Sequence, residues 1–263
     1  MNTKHRMPRI PVLVTLLAVS LLLGCDPHVD SIYLGRDEAE MLGDVNSGDV
    51  DAVKEFLDQG GNVNLQDEPG MTPLHHAVNS DWKGKNFEMI KFLIDRGANV
   101  KAIDDTHHTP LHLASGKETA ELLIDAGADV NAKTKRTGKN LLYGAARNAA
   151  QGNSKSYQIY LNLTKLLITK GADVNVKLKS GSMIEDSEPH RAKAGETALH
   201  AVVRSYSEKH AIEVCELLIA NGANLNELNV NGQTPLDEAL MNDRKQTAET
   251  LRKHGGKTAP NQD

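Results

Sequence analysis

One short pattern that recurs along the chain constrains its fold more than any other feature. Thr-Pro-Leu-His stands at residues 72–75 and 109–112, with related versions at 197–200 and 234–237 and a degenerate copy at 140–145. Threonine can cap the first amide groups of a helix, and proline suits the first helical position because its missing N–H would be unpaired there anyway. Recurrence of a helix start at intervals of about 35 residues predicts an array of structural repeats.

A second pattern marks where helices end. Glycine suits the left-handed conformation that closes a helix, and a small alanine after it allows close packing where the chain turns. The step from such a glycine to the next threonine is 12 residues from Gly60 to Thr72, Gly97 to Thr109 and Gly222 to Thr234. The equal steps predict that the same turn joins successive repeats. Gly-Ala pairs of this kind occur at 97–98, 127–128, 171–172 and 222–223.

Together the two patterns resemble the ankyrin repeat family over about residues 37–258. The resemblance implies an all-α repeat solenoid, in which each unit has a β-turn finger, an inner helix and an outer helix. It also implies that the motif histidines His75, His112 and His200 hydrogen-bond between adjacent units. Six units are expected, at about 37–65, 66–101, 102–132, 133–176, 190–226 and 227–258, with an inserted loop at 176–193 and a tail at 259–263.

The N-terminus predicts export and a lipid anchor. Three basic residues precede an apolar run at 10–23, which is short for a spanning helix but right for a signal peptide. The run ends in Leu-Leu-Gly-Cys at 22–25, which resembles the lipobox of bacterial lipoproteins. The resemblance implies that residues 1–24 are removed, Cys25 is acylated and 25–36 form a linker. An uncleaved membrane helix remains an alternative. Asp26 resembles an inner-membrane retention signal, although the outer membrane stays possible.

Catalytic and metal signatures are lacking. The sequence has no phosphate-binding loop, nucleophile elbow or HExxH motif, so neither catalytic residues nor a cofactor is expected. His108 and His112 are four residues apart, but a helix start lies between them, which disfavours a zinc site. Cys215 lies among the apolar positions of a predicted helix and is interpreted as a core residue. An enzyme or metal protein is kept as a minor alternative.

Partner binding is the remaining function, since stacked helical repeats present an extended surface to macromolecules. The chain carries a net charge of −5, which gives no reason to expect nucleic acid, yet the finger at 133–139 is strongly basic. A partner with an acidic surface, anionic lipid headgroups and a merely solvated loop all fit this charge. The candidate contact residues are Met71, Trp82, His108, Arg136, Lys139, Arg147 and Arg204, with Glu68, Asp105, Glu196 and Gln233 on fingers and Asn79, Asn148 and Asn242 on inner helices.

The functional expectation is a monomeric, lipid-anchored protein that faces the periplasm and binds another protein as an adaptor or scaffold. A second interpretation is an inhibitor or immunity protein that neutralises a toxic effector at the envelope. The sequence leaves these two roles open, because it identifies the scaffold and not the partner.

Overall fold

The computed structural model describes residues 35–81, 84–179 and 194–260. In this part of the chain the regular elements are helices, and strands are absent. The helices are α1 Arg36–Ser47, α2 Val50–Asp58, α3 Pro73–Asn79, α4 Phe87–Asp95, α5 Lys117–Asp125, α6 Leu141–Gln151, α7 Ser154–Thr169, α8 Ala198–Val203, α9 Glu208–Ala220, α10 Pro235–Met241 and α11 Lys245–Lys253, with a 3₁₀ turn at Pro110–Leu113.

These elements form successive inner and outer pairs, which we number as units one to six. The pairs are α1–α2, α3–α4, the 3₁₀ turn with α5, α6–α7, α8–α9 and α10–α11. Their buried faces join into one apolar core that runs from Met41 to Leu251. Cys215 is fully buried in this core, as predicted, and burial raises the pKa of its thiol. The all-α repeat solenoid is therefore confirmed.

The recurring motif starts helices as predicted. In unit two the Thr72 amide donates to His75 Nδ1 at 3.1 Å, and the His75 ring reaches the His108 carbonyl of unit three with Nε2 at 3.1 Å. His200 makes the same contact to the Gln233 carbonyl at 3.1 Å. His112 is different, because its Nε2 is buried without a hydrogen-bond partner. The structural role is thus confirmed between units two and three and between units five and six, whereas the His112 ring lies near the carbonyls of Ala132 and Lys139 without a bond of regular geometry.

The fingers are tight turns closed by their own backbone. Residues 67–71, 104–108 and 229–233 each pair the first amide with the fifth carbonyl at 3.0 Å, whereas residues 134–139 need six residues for the same closure. Among the described residues, neighbouring fingers are joined by backbone hydrogen bonds. These contacts join Asp105 to Pro69, Lys135 to Thr106, Lys179 to Thr137 and Val230 to Ala194.

The inserted loop begins later than expected. Val176 and Leu178 are only 3% exposed, and the Leu178 amide donates to the Glu196 carbonyl at 2.9 Å. Residues 176–179 therefore belong to the finger of unit five and not to an insertion. The rest of the predicted loop, 180–193, lies outside the described residues, as do Trp82, Cys25 and the whole segment 1–34.

Candidate partner-binding surface

Arg204 does not contribute positive charge to the surface, which corrects the expectation from its inner-helix position. Its guanidinium is 5% exposed and binds the Glu196 carboxylate with two nitrogens, at 2.5 and 2.9 Å. It also lies 3.3 Å from the Glu238 carboxylate of unit six. Glu196, which we expected on an exposed finger, is fully buried. The two carboxylates raise the pKa of Arg204 against the opposing effect of burial.

The buried charges form a cluster that spans three units. We call Tyr143, Glu196, Arg204, Asn229 and Glu238 the ionic cluster. The Tyr143 hydroxyl donates to Glu196 at 3.4 Å, and the Asn229 side-chain Nδ2 donates to Glu238 at 2.9 Å. Burial, followed by the Glu196 charge, raises the pKa of Tyr143. The cluster therefore connects units four, five and six on their inner-helix side.

A groove of about 480 Å³ opens beside the cluster, between the fingers of units three and four. Its described lining brings together His108, Arg136 and Lys139, three of the predicted contact residues. Arg136 is exposed and Lys139 is half-buried, with its Nζ 5.6 Å from the centroid of the Tyr143 ring. The remaining lining residues are Thr106, His112, Thr134, Thr137, Asn140, Leu141 and Gly144. We call this site the finger groove.

Hydrogen bonds identify the tautomer of His112 in the finger groove. The Thr109 amide donates to His112 Nδ1 at 3.0 Å, so Nδ1 is the acceptor and the neutral ring carries its proton on Nε2. That Nε2–H is buried and finds no acceptor in hydrogen-bonding geometry. Burial and the charge of His108 lower the pKa of His112, while the carbonyls of Ala132 and Lys139 oppose the shift. His112 thus makes no inter-unit bond of regular geometry, in contrast to His75 and His200, although two carbonyls lie near its ring.

The finger of unit two is acidic and internally paired. Asp67 accepts from the Met71 amide at 2.7 Å and lies 2.7 Å from His76 Nε2. Met71, a predicted contact residue, is half-buried at the end of this finger, and Glu68 beside it is exposed. The acidic character of this finger therefore comes from one carboxylate held by hydrogen bonds, Asp67, and one exposed carboxylate, Glu68.

The C-terminal unit adds exposed apolar side chains that sequence reasoning missed. Val230 on its finger is 62% exposed and Met241 at the end of α10 is 70% exposed. Met241 stands four residues after Asp237, as Arg147 stands four after Tyr143 and Asn79 four after His75, so it shares their inner-helix position. This spacing could have predicted from the sequence that Met241 is a candidate contact residue. Of the other predicted residues, Asn79, Asp105 and Asn148 are exposed, and Arg147, Gln233 and Asn242 are half-buried.

A second cavity lies on the side of the interhelix turns. Unit three has only a 3₁₀ turn as its inner helix, whereas α7 of unit four has 16 residues, and a space of about 530 Å³ remains between them. Phe87, Ile159 and Tyr160 line it. The buried carboxylate of Asp81 fixes its wall by accepting from the Asn86 amide and the Thr119 hydroxyl.

The described residues form neither a metal-binding cluster nor a membrane-spanning helix. No group of three or more His, Cys, Asp or Glu side chains in 35–81, 84–179 and 194–260 is arranged to hold a metal ion. Over the same residues, none of the helices combines the length and apolar character needed to cross a bilayer.

Stacked helix pairs with cross-linked fingers define a helical-repeat protein of the macromolecule-binding type. The family model described as ankyrin repeats (3 copies) matches residues 43–134 and 149–262, and the chain belongs to the ankyrin repeat family. A crystal structure of an ankyrin repeat domain from Acinetobacter baumannii AYE superimposes with a TM-score of 0.67. At 23% identity it covers 84% of this chain and 100% of that domain, and it supports the fold alone.

A curated relative is much longer than this chain. The phosphocholine transferase AnkX of Legionella pneumophila subsp. pneumophila (strain Philadelphia 1) is 27% identical over 238 residues. The match covers 86% of this chain but only 23% of that protein. The chain therefore spans less than a quarter of its relative, and the transferase activity is stated of that protein only.

Proposed function

We propose that this chain is a non-catalytic adaptor that binds another protein through its row of fingers while a lipid on Cys25 holds it to a bacterial membrane, facing the periplasm. The single observation that supports protein binding is the row of backbone contacts from finger to finger. A cross-linked row holds its exposed side chains in a fixed arrangement before a partner arrives. Such preorganisation reduces the entropy lost on binding.

The partner test compares fingertips with outer helices. Affinity capture from bacterial envelopes, with the full chain as bait and mass spectrometry as readout, should recover a specific protein. Glu68→Lys with Asp105→Lys reverses two exposed finger charges, and Asp51→Lys with Glu216→Lys makes the same charge change on exposed outer-helix positions. We expect the finger variant to lose the partner and the control to keep it. Equal capture by both variants would show that the fingers are not the binding surface.

The tether is tested separately, because it rests on the sequence of residues 1–26. Cys25→Ser removes the thiol that would carry the lipid. The variant is expected to leave the membrane fraction when cells are lysed and centrifuged, and to lose incorporation of a labelled fatty acid. A variant that still sediments with membranes would refute the lipid anchor without affecting the partner test.

A further inference from the structure

We propose that the cavity on the side of the interhelix turns binds an arginine side chain from a basic segment of a partner protein. The inference rests on the proposed protein-binding function and adds to it a second contact site with its own ligand chemistry. We call this space of about 530 Å³, which lies between the starts of α4 and α5 and the first part of α7, the turn cavity. Clefts that bury ligand groups usually measure about 300–1,000 Å³, so its size is suitable.

The turn cavity exists because the outer helices of units three and four differ in length. α5 and α7 both end two residues before a closing glycine, Gly127 or Gly171, but α5 has 9 residues and α7 has 16. The first part of α7 therefore extends past the start of α5 and has no counterpart there. Ser156, Ile159 and Tyr160, the α7 residues that line the cavity, all lie in this extension.

A buried carboxylate without a counter-ion lies in the wall of the turn cavity. Asp81 is 5% exposed, and its two oxygens accept from the Asn86 amide at 2.9 Å and from the Thr119 hydroxyl. Both donors are neutral, and no Lys, Arg or His side chain in the described part of the chain forms an ion pair with Asp81. Buried charges in proteins are normally paired, so this carboxylate favours a cationic ligand. A carboxylate has about four lone-pair sites, and about two remain here for such a ligand.

The charge around the mouth of the turn cavity has the same sign. Glu88 in the first turn of α4 and Glu118 in the first turn of α5 are exposed, line the cavity and make no ion pair with another described residue. Among the described lining residues, Lys85 is the one cation, against these two carboxylates and Asp81. A single guanidinium would leave part of this negative charge unbalanced, so charge complementarity favours a segment that carries further basic residues.

The apolar part of the lining favours arginine over lysine. Phe87 and Tyr160 supply half-buried aromatic rings, and Ile159 is 40% exposed. A guanidinium group is planar and weakly hydrated, stacks on aromatic faces and can donate two parallel hydrogen bonds to one carboxylate. An ammonium group is compact and strongly hydrated, so it loses more hydration on entering an apolar cavity. The exposed isoleucine suits the aliphatic stem of the arginine.

The probe is a labelled synthetic peptide of alternating glycine and arginine, titrated against the full chain in detergent by fluorescence anisotropy. We expect saturable binding that weakens with added salt, and about tenfold weaker binding of the same peptide with citrulline in place of arginine. Citrulline keeps the shape of arginine and removes its charge. A lysine peptide should bind with intermediate affinity. Equal binding of the arginine and citrulline peptides, or tighter binding of the lysine peptide, would overturn the proposal.

Asp81→Asn removes the buried charge with little change of shape. The new side-chain oxygen can still accept from the Asn86 amide, and its amide group can donate to the Thr119 hydroxyl, so the variant should fold. We expect it to weaken the arginine peptide about tenfold. Urea unfolding checks that the variant is folded, and unchanged affinity in the folded variant would overturn the proposal.

Charge at the mouth gives a test that does not depend on a buried position. Glu88→Gln with Glu118→Gln should weaken the arginine peptide about fivefold. The matched control, Asp51→Asn with Glu216→Gln, removes the same charge from exposed positions of α2 and α9 outside the cavity and should leave affinity nearly unchanged. Equal affinity in the two double variants would show that the peptide responds to the charge of the whole chain, and would overturn the proposal.

The apolar wall is tested with two exposed isoleucines. Ile159→Ala shortens a side chain of the cavity, and we expect it to weaken the arginine peptide about threefold. Ile103 is 46% exposed and lies outside the cavity, so Ile103→Ala should have no effect. Equal affinity in both variants would remove the aliphatic stem from the proposal and overturn it.

Two further outcomes locate a failure. N-acetyl-arginine amide should compete with the peptide only weakly, and competition at the affinity of the peptide would make the ligand a small molecule and overturn the proposal. If envelope capture recovers a partner equally well with Asp81→Asn, the cavity assignment fails while the proposed protein-binding function stands. If the unchanged chain captures no specific protein, the proposed function fails, and peptide binding that depends on Asp81 would still support the chemistry of the cavity.

Discussion

Neighbouring repeats are joined by one chemistry at the junction of units two and three and by another around unit five. The first junction has apolar packing and a neutral histidine that bonds to a backbone carbonyl. The second adds the ionic cluster, in which a buried arginine is held by two buried carboxylates. The junction of units three and four has no ion pair of this kind among the described residues, and His112 makes no bond of regular geometry across it. The finger groove opens at that junction.

The largest expected effect breaks the ionic cluster. Arg204→Met leaves the Glu196 and Glu238 carboxylates buried without their cation, and we expect a loss of about 3–5 kcal/mol in the free energy of unfolding. Denaturant unfolding of the full chain measures this loss. Arg204→Lys keeps the charge but loses the two-nitrogen contact to Glu196. Its free energy of unfolding should lie between those of the wild-type chain and Arg204→Met.

The matched control for Arg204 is an exposed ion pair. Arg96 lies 2.9 Å from Asp58, and both side chains are substantially exposed. Arg96→Met should cost no more than about 1 kcal/mol, because solvent screens such pairs. If Arg204→Met and Arg96→Met lose similar amounts of stability, burial does not make the Arg204 ion pairs more important than an exposed pair.

A second prediction compares two motif histidines. His75→Leu removes the contact to the His108 carbonyl and the helix cap, whereas His112→Leu removes the cap but no inter-unit bond of regular geometry. A net intramolecular hydrogen bond contributes about 1 kcal/mol. We therefore expect His75→Leu to destabilise more than His112→Leu by about that amount in parallel urea titrations. The reverse order would contradict the assignment of His112 as the unmatched member.

The sequence predicts the local features and misses those that depend on distant neighbours. Helix starts at Thr72 and Thr234 are local, because each threonine caps its own helix. The burial of Arg204 depends on Glu238, which lies 34 residues away in the next unit, so helix position alone placed it wrongly on the surface.

Some missed features did carry a signal. From Val174 to Lys179 buried and exposed residues alternate, with Val176 and Leu178 on the buried side. This period of two is typical of extended backbone and could have assigned residues 176–179 to the finger. The degenerate motif at 140–145 was visible, but the groove also required the extra residue in finger four, whose effect depends on the finger before it. Sequence therefore located the departure from the repeat but not the space that it creates.

A third prediction concerns acid. Burial lowers the pKa of His75, His112 and His200 below the ordinary value of 6.5. Below that value the unfolded chain binds these protons and the folded chain does not, so the free energy of unfolding should fall as pH falls from about 6.5 toward the lowered folded pKa values. Above pH 6.5 the three rings are neutral in both the folded and the unfolded chain, so they no longer lower the free energy of unfolding.

The measurement is unfolding by urea at a series of pH values. The chain with His75→Leu and His200→Leu should be less stable at neutral pH but lose less on acidification, because two of the three titrating rings are gone. An unchanged pH dependence in this variant would show that other groups control the acid response. Comparison with His112→Leu alone tests whether the groove histidine contributes equally.

The smallest expected effect tests whether the open position in the groove lowers stability. Glycine inside a helix is less favourable than alanine by about 1 kcal/mol, and the Cβ of Gly144→Ala would meet nothing within 4 Å, so this variant should gain up to about 1 kcal/mol. Gly138 is the matched control in finger four, since its φ is +69° and a Cβ there would lie 2.9 Å from Lys179 Cγ. Gly138→Ala should therefore lose stability. If Gly144→Ala is also destabilising, the space beside α6 is not available, and the groove would have to be defined without it.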